Sequence, residues 1–311
     1  MTDSQRLLME VLRWACAHGA RCLNYCAATA LLTEGGRVTG VEARDRVADA
    51  ELRLDAATVI NCAGPWSATL ADRFAVAPEG LFRPSLAFNL LFEREAPSEI
   101  AVAVSAPQPG AHTWFLYPRG RLLYAGTAHF PCADDARAES PAPQPSELQI
   151  GAVIGQINDA IPRLQLRRDQ VLRVYAGLLP ATEAGGARLS DRPVIHDHGA
   201  GGGPHGLWSV SGVKYTTARD VAEATLRRAF TPLPPIEAAR ERPEAASLPS
   251  LALDDYGELA HGSAAALRRF ADAEAVVESE DLLLRRGAWA DDPRRLQGLK
   301  DAVGAALRRT P

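Results

Sequence analysis

Apolar and polar positions follow two different periods along this chain, and the switches between them mark its elements. Residues 5–18 place Leu7, Leu8, Val11, Leu12 and Ala15 at helical spacing, which predicts an amphipathic helix. Asp3 or Ser4 can cap that helix, and Gly19 ends it. A period of two follows. Residues 22–26 and 28–32 read as strand, Glu34-Gly35-Gly36 as a turn, and 37–44 as the hairpin partner. After a turn at 45–49, residues 50–54 predict another strand, and 57–63 a mostly apolar strand buried on both faces. Gly64-Pro65-Trp66-Ser67 stops it, and a helix is expected over 67–74.

The pattern changes after Phe82. Strands are expected at 83–94 and 101–105, with a hairpin of 112–117 and 121–126 around Pro118-Arg119-Gly120. Residues 132–145 are polar and rich in Pro and Ala, hence loop. Ser146 with Gln149 forms a capping-box pattern for a helix over 147–161, which buries Leu148, Ile150, Val153, Ile154 and Ile157. Strands follow at 170–177, where Tyr175 reads as a core residue, and at 193–196. His196 and His198 fall in a polar turn region and read as surface loop. Residues 199–203 form a glycine turn that does not match GxGxxG followed by a helix, so no phosphate cradle is expected there. Residues 207–211 read as a short buried strand, Gly212 breaks it, and Thr217 with Asp220 approaches a capping box for the next helix. Residues 231–248 are rich in Pro and charge and read as a linker; 254–275 and 278–307 read as helical. The result is an α/β class of the mixed α+β kind, without internal repeats.

Composition narrows the functions. The 311 residues are 47% hydrophobic and 23% charged, with a formal net charge of −4, so nothing marks a nucleic-acid or anionic-membrane surface. Five cysteines lack zinc-ribbon spacing and read as thiols in a reducing compartment; seven histidines lack metal-ligand spacing. No apolar run approaches the roughly 20 residues of a membrane span. Arginine is used almost everywhere, and the two lysines are Lys214 and Lys300. Lys214 sits between a strand and a helix N-terminus, whose free N–H groups suit an anionic ligand group. A lysine there supplies a compact point charge rather than a planar fork.

Several stretches together resemble the FAD-dependent glycerol-3-phosphate dehydrogenase family, within the D-amino-acid oxidase-like flavoproteins. They are 3–8 with GARCLNYCAATALLTEGGRVTGVEARDR, ATVINCAGPWS, RPSLAFNLLF with WFLYPRGRLLYAGTAH, VYAGLLPA, GLWSVSGVKYTTARDVAEA and SEDLLLRRGAW. The resemblance implies FAD as cofactor. It implies that Ala63, Gly64, Pro65 and Trp66 approach the dinucleotide, that Ala28 meets the adenine through its backbone, and that Gly212, Val213, Tyr215, Thr216 and Thr217 wrap the flavin ring with Lys214 as the catalytic charge. Asn89, His129 and Leu179 would face the substrate. The implied division is a partial FAD-binding domain at 1–82, a substrate sheet at 83–205, a returning strand–turn–helix at 206–230, a linker at 231–248 and a helical domain at 249–311.

Three departures accompany the resemblance. The family begins with a GxGxxG βαβ unit that this chain lacks, so the expectation is a fragment or a unit supplied by another polypeptide. Leu179 stands where the family carries an arginine for the substrate phosphate, a loss of about 1.5–3 kcal/mol or more. Asn89 replaces a histidine of the roof sheet, and an amide is a poor general base. The expected activity is hydride transfer from a carbon bearing OH or NH to flavin N5, with a small-molecule substrate, a quinone or other electron acceptor, no metal and no nucleic acid. The expected location is cytoplasmic or peripheral to the inner face of the membrane. The alternative is a non-catalytic remnant or interaction module that binds no FAD alone. A tRNA-modifying flavoenzyme is disfavoured by the lack of basic surface. The flavoprotein reading requires the turns at 61–66 and 212–217 to converge on one side of a shared sheet.

Overall fold

The computed structural model describes residues 4–74, 76, 78, 80–132, 143–212, 214–232, 264–286 and 292–307. Val213, the expected linker from 233 onward and the start of the helix expected at 254 lie outside the described residues. The chain forms two compact units, one from 28–43 and 52–232, the other from 1–27, 44–51 and 233–311.

The larger unit centres on a five-stranded antiparallel sheet of order β6-β7-β8-β5-β9. Its strands are β5 (Pro84–Phe92), β6 (Val102–Ser105), β7 (Thr113–Arg119), β8 (Leu122–Pro131) and β9 (Val171–Pro180). β5 lies between β8 and β9, and its apolar run is buried almost throughout. Phe88, Leu90, Phe92, Leu116, Leu123 and Ala125 pack on Ile150, Val153, Ile154 and Ile157 of the helix Glu147–Ala160. Each of these side chains other than Ala125 contributes about 1.5–3 kcal/mol of burial. That helix starts with the expected capping box, Ser146 and Gln149 each bonding the other's backbone N–H. Leu148 was expected in the core but is 87% exposed. It lies two positions before Ile150, hence about 200° around the helix from the buried stripe.

The pairing of β5 with β8 is irregular at Asn89. Phe88 faces Ala128 and Leu90 faces Ala125, so Gly126 and Thr127 together oppose one residue. This is a β-bulge. A second sheet has the order β10-β11-β4, with β4 (Val59–Asn61), β10 (Val194–Asp197) and β11 (Leu207–Ser211). β10 and β11 are antiparallel, whereas β11 and β4 are parallel. A third sheet joins β1 (Cys26–Glu34), β2 (Arg37–Asp45) and β3 (Ala50–Asp55). The strand expected at 22–26 does not form; β1 begins at Cys26.

In the smaller unit the first helix, α1 (Ser4–Ala17), is present, but its faces are reversed. Leu7, Leu8 and Val11 are exposed, and Arg6, Met9 and Arg13 are buried. The cause is Glu274, a fully buried carboxylate 2.5 Å from Arg6, 3.6 Å from Arg286 and 3.9 Å from Arg13. A buried carboxylate is tolerated only beside cations, and this requirement outweighs the apolar stripe. The single helix expected over 278–307 is two, Ser279–Arg285 and Pro293–Leu307. Proline at a helix start lacks only a donor that would be unpaired there anyway. Leu267, Phe270, Leu282, Leu283 and Val303 form the core of this unit.

Candidate functional site

Parallel pairing makes two chain segments leave one sheet edge in the same direction. Val59, Ile60 and Asn61 of β4 face Leu207, Trp208 and Ser209 of β11. Beyond β4 the chain enters a 3-10 turn, Gly64–Trp66; beyond β11 it enters another, Tyr215–Thr217. Gly64 has φ +58° and Gly212 has φ +76°, a region that favours glycine. A Cβ at Gly64 would meet nothing within 4 Å, so open space lies beside that backbone. A Cβ at Gly212 would come within 3.6 Å of Pro180, the last residue of β9. The turn at Gly64–Trp66 also lies against β9 and β11. The two turns therefore leave the same end of the β4–β11 pair, and each approaches β9, Gly212 through Pro180.

The turn residues differ in exposure. Ala63, Gly64, Pro65 and Gly212 are half-buried, and Lys214, Thr216 and Thr217 are exposed. Trp66 is 46% exposed and Tyr215 49%. Two aromatic faces thus stand open beside two glycine turns and a cation, a set that fits a flat, anionic cofactor. The capping box expected at Thr217 does not form. Thr217 N–H instead donates to the Lys214 carbonyl at 3.1 Å, because the 3-10 turn starts the helical path two residues earlier. Ala28 lies in β1, and its carbonyl accepts from Arg73 at 3.2 Å.

The second part of the site is the face of the large sheet opposite its packed helix. Phe88, Leu90, Leu123, Ala125, Ala128, Val174 and Ala176 point into the core, so their strand neighbours point away. This brings Asn89, His129 and Leu179 to one face, on β5, β8 and β9. Asn89 reaches into the bulge: its Oδ1 accepts from Thr127 Oγ1 at 2.8 Å, and a Cβ at Gly126 would come within 2.0 Å of that oxygen. His129 pairs with Ala87 across the sheet, and its Nδ1 is buried with no hydrogen-bond partner among the described residues. Burial, with a further push from His112, lowers the His129 pKa. The imidazole is therefore neutral at pH 7 and able to accept a proton. Leu179 pairs with Ser85 and is exposed. Between His129 and Leu179 the floor is Ala87 and Gly177, where an added Cβ would meet open space.

Sequence reasoning missed two features. Tyr175, expected in the core, lies on the open face with Tyr124 and Tyr117; successive ring centroids are 5.5 and 4.6 Å apart, and the Arg173 guanidinium sits 5.0 Å over Tyr175. Its alternation with Val174 and Ala176 was the available signal. The second is His198, expected on the surface but buried, with Nε2 2.8 Å from the buried Ser209 hydroxyl. Loop composition carried no trace of that contact.

The sequence profile of the FAD dependent oxidoreductase family (DAO) matches residues 1–223, and the chain belongs to that family. Within it, the chain is similar to glycerol-3-phosphate dehydrogenase 1 of Mycobacterium tuberculosis, 34% identical over 237 residues, 74% of this chain and 43% of that one. It is also similar to an alpha-glycerophosphate oxidase of Streptococcus pyogenes, 28% identical over 181 residues, 57% of this chain and 29% of that one. The chain thus spans less than half the length of these relatives. The crystal structure of glycerol-3-phosphate dehydrogenase from Bacillus halodurans complexed with FAD has the same fold, with a TM-score of 0.70 at 23% identity, over 99% of this chain and 75% of that one. FAD, the cofactor the resemblance implied, is named both in the family description and in that structure. Among the described residues no helix is long and apolar enough to cross a membrane.

Proposed function

We propose that this chain supplies the flavin-edge turns and the substrate sheet of an FAD-dependent oxidoreductase that takes hydride from a CH–OH or CH–NH carbon. The observation that carries the reading is that two glycine turns leave the same end of the β4–β11 pair and both approach β9. Ala63–Trp66 and Gly212–Thr217, with Ala28, hold the cofactor; FAD, when bound, accepts the hydride. Lys214 and the helical turn behind it offset negative charge at the cofactor's edge. His129 accepts the hydroxyl or amine proton, and Asn89 holds the bulge that presents it. Leu179 gives this surface an apolar wall where a phosphate would need a cation. The domain division at 82, 205, 230 and 248, the electron acceptor and a cytoplasmic or membrane-peripheral location belong to the same proposal.

Purified protein titrated with FAD tests it. The expected result is quenching of flavin fluorescence and a perturbed flavin absorption spectrum. Free-flavin spectra throughout would overturn the reading in favour of a non-catalytic interaction module. In an FAD-loaded enzyme, Leu179→Arg is expected to raise kcat/KM for phosphorylated polyols by roughly tenfold or more. An unchanged ratio would mean that Leu179 does not border the substrate.

A further inference from the structure

Three polar side chains are buried between β10, β11 and β4, where apolar filling would be the ordinary solution. His198 follows β10, Ser209 lies in β11, and Asn61 ends β4; each is buried. They form one hydrogen-bonded row. His198 Nε2 is 2.8 Å from Ser209 Oγ, and Asn61 Nδ2 donates to Ser209 Oγ at 3.2 Å. Asn61 Nδ2 also donates to the Ser67 carbonyl at 2.8 Å, and Asn61 Oδ1 accepts from the Ala63 N–H at 3.1 Å. Ser67 Oγ then donates to the Gly64 carbonyl at 2.7 Å.

The backbone fixes the amide first: the Ala63 N–H can only donate to Asn61 Oδ1, and the Ser67 carbonyl can only accept from Asn61 Nδ2. In the other orientation Asn61 would set its NH2 against the Ala63 N–H and its oxygen against the Ser67 carbonyl. Burial lowers the His198 pKa, while the Val76 backbone engages the imidazole and favours its charged form. Ser209 Oγ accepts from Asn61 Nδ2, which leaves its own hydroxyl proton for His198 Nε2. His196 stands edge-on at 4.7 Å, and Asp197 is the adjoining charged group.

We propose that His198 is a positioning residue for the turn from Ala63 to Ser67, acting through Ser209 and Asn61. The proposal rests on the reading that this turn borders the cofactor. Apolar residues at 198 and 209 could not hold the second hydrogen of Asn61 Nδ2, which the Ser67 carbonyl leaves free. Three buried polar groups are retained at a desolvation cost that only complete pairing offsets. What the pairing secures is the backbone on both flanks of Gly64.

The test uses the full chain without FAD and compares wild type with His198→Phe, His198→Gln and Ser209→Ala. Amide hydrogen exchange is read at Ala63–Ser67 and, as a reference, in β5 and the helix Glu147–Ala160; a parallel FAD titration follows flavin fluorescence. His198→Phe and Ser209→Ala are expected to speed exchange at Ala63 by roughly tenfold, the size of one net hydrogen bond, with the reference segments unchanged. His198→Gln, which keeps an acceptor near the Nε2 position, is expected to restore protection. FAD affinity is expected to fall in the same order. Equal exchange in all four proteins would overturn the proposal, as would a uniform rise that includes the reference segments. If His198→Phe does not fold, Ser209→Ala decides by the same criteria. Faster exchange at Ala63 with no FAD binding even in wild type would support the relay and defeat the cofactor reading instead.

Discussion

The large sheet and α1 bury opposite kinds of side chain. The sheet sends Phe88, Leu90 and Phe92 inward against Ile150, Ile154 and Ile157 as one apolar cluster. α1 sends Arg6 and Arg13 inward to a carboxylate with no exposed surface, and leaves leucines outside. The first arrangement is forgiving, because dispersion and desolvation do not depend on direction. The second is conditional: it holds only while each charge keeps its partners. Two cores of one chain therefore differ in how a single substitution propagates.

The sharpest way to break this comparison is Glu274→Leu. Removing the carboxylate leaves its arginines buried without it, at an expected cost of about 3–5 kcal/mol in chemical denaturation. Recovery in a variant that also replaces Arg6 and Arg13 with methionine would identify uncompensated charge as the cause. Leu90→Ala in the sheet is expected to cost about 2–5 kcal/mol through a cavity, with no rescue from changing a charge elsewhere.

A pH scan separates the two units more finely. In the smaller unit the Tyr25 hydroxyl donates to both oxygens of Asp281 at 3.0 Å; burial, with the carboxylate, raises its pKa to about 12. The unfolded chain loses this proton near 10, the folded chain near 12, so the folded state holds more protons between them. Its contribution is present below pH 10 and is lost as pH rises through 12; Tyr25→Phe should flatten that alkaline limb. In the larger unit, burial lowers the pKa of His129 and His198. There the unfolded state binds more protons, so stability should fall as pH drops below the ordinary histidine value. The smallest effect on stability is expected from Lys214→Ala, within about 0.5 kcal/mol because the side chain is exposed. Its effect should appear in flavin affinity and turnover; unchanged kinetics would remove Lys214 from the site.

Legibility from sequence followed the same physics. β11 was readable to the residue, because a short apolar run closed by glycine has one simple explanation. So was the Ser146–Gln149 cap, a local exchange of two bonds. The inward face of α1 was not, because its cause, Glu274, lies more than 250 positions away. The turns at Gly64 and Gly212 could be named from their residues, whereas their exit from one end of the same strand pair depended on the parallel pairing of β4 with β11. His198 was lost for a similar reason. A histidine beside glycines looks solvated until Ser209 and Asn61 are brought against it.

The two-against-one step at Gly126 and Thr127 also governs everything that follows it in β8. Tyr124 and His129 are an odd number of residues apart, yet they share a face, while Ala125, Ala128 and Phe130 share the other. In an uninterrupted strand the parity would be reversed beyond residue 126, sending the imidazole among phenylalanines and the Phe130 ring toward solvent. Deletion of Gly126 would set Thr127 alone opposite Asn89 and keep the imidazole and the Phe130 ring on the faces they already hold.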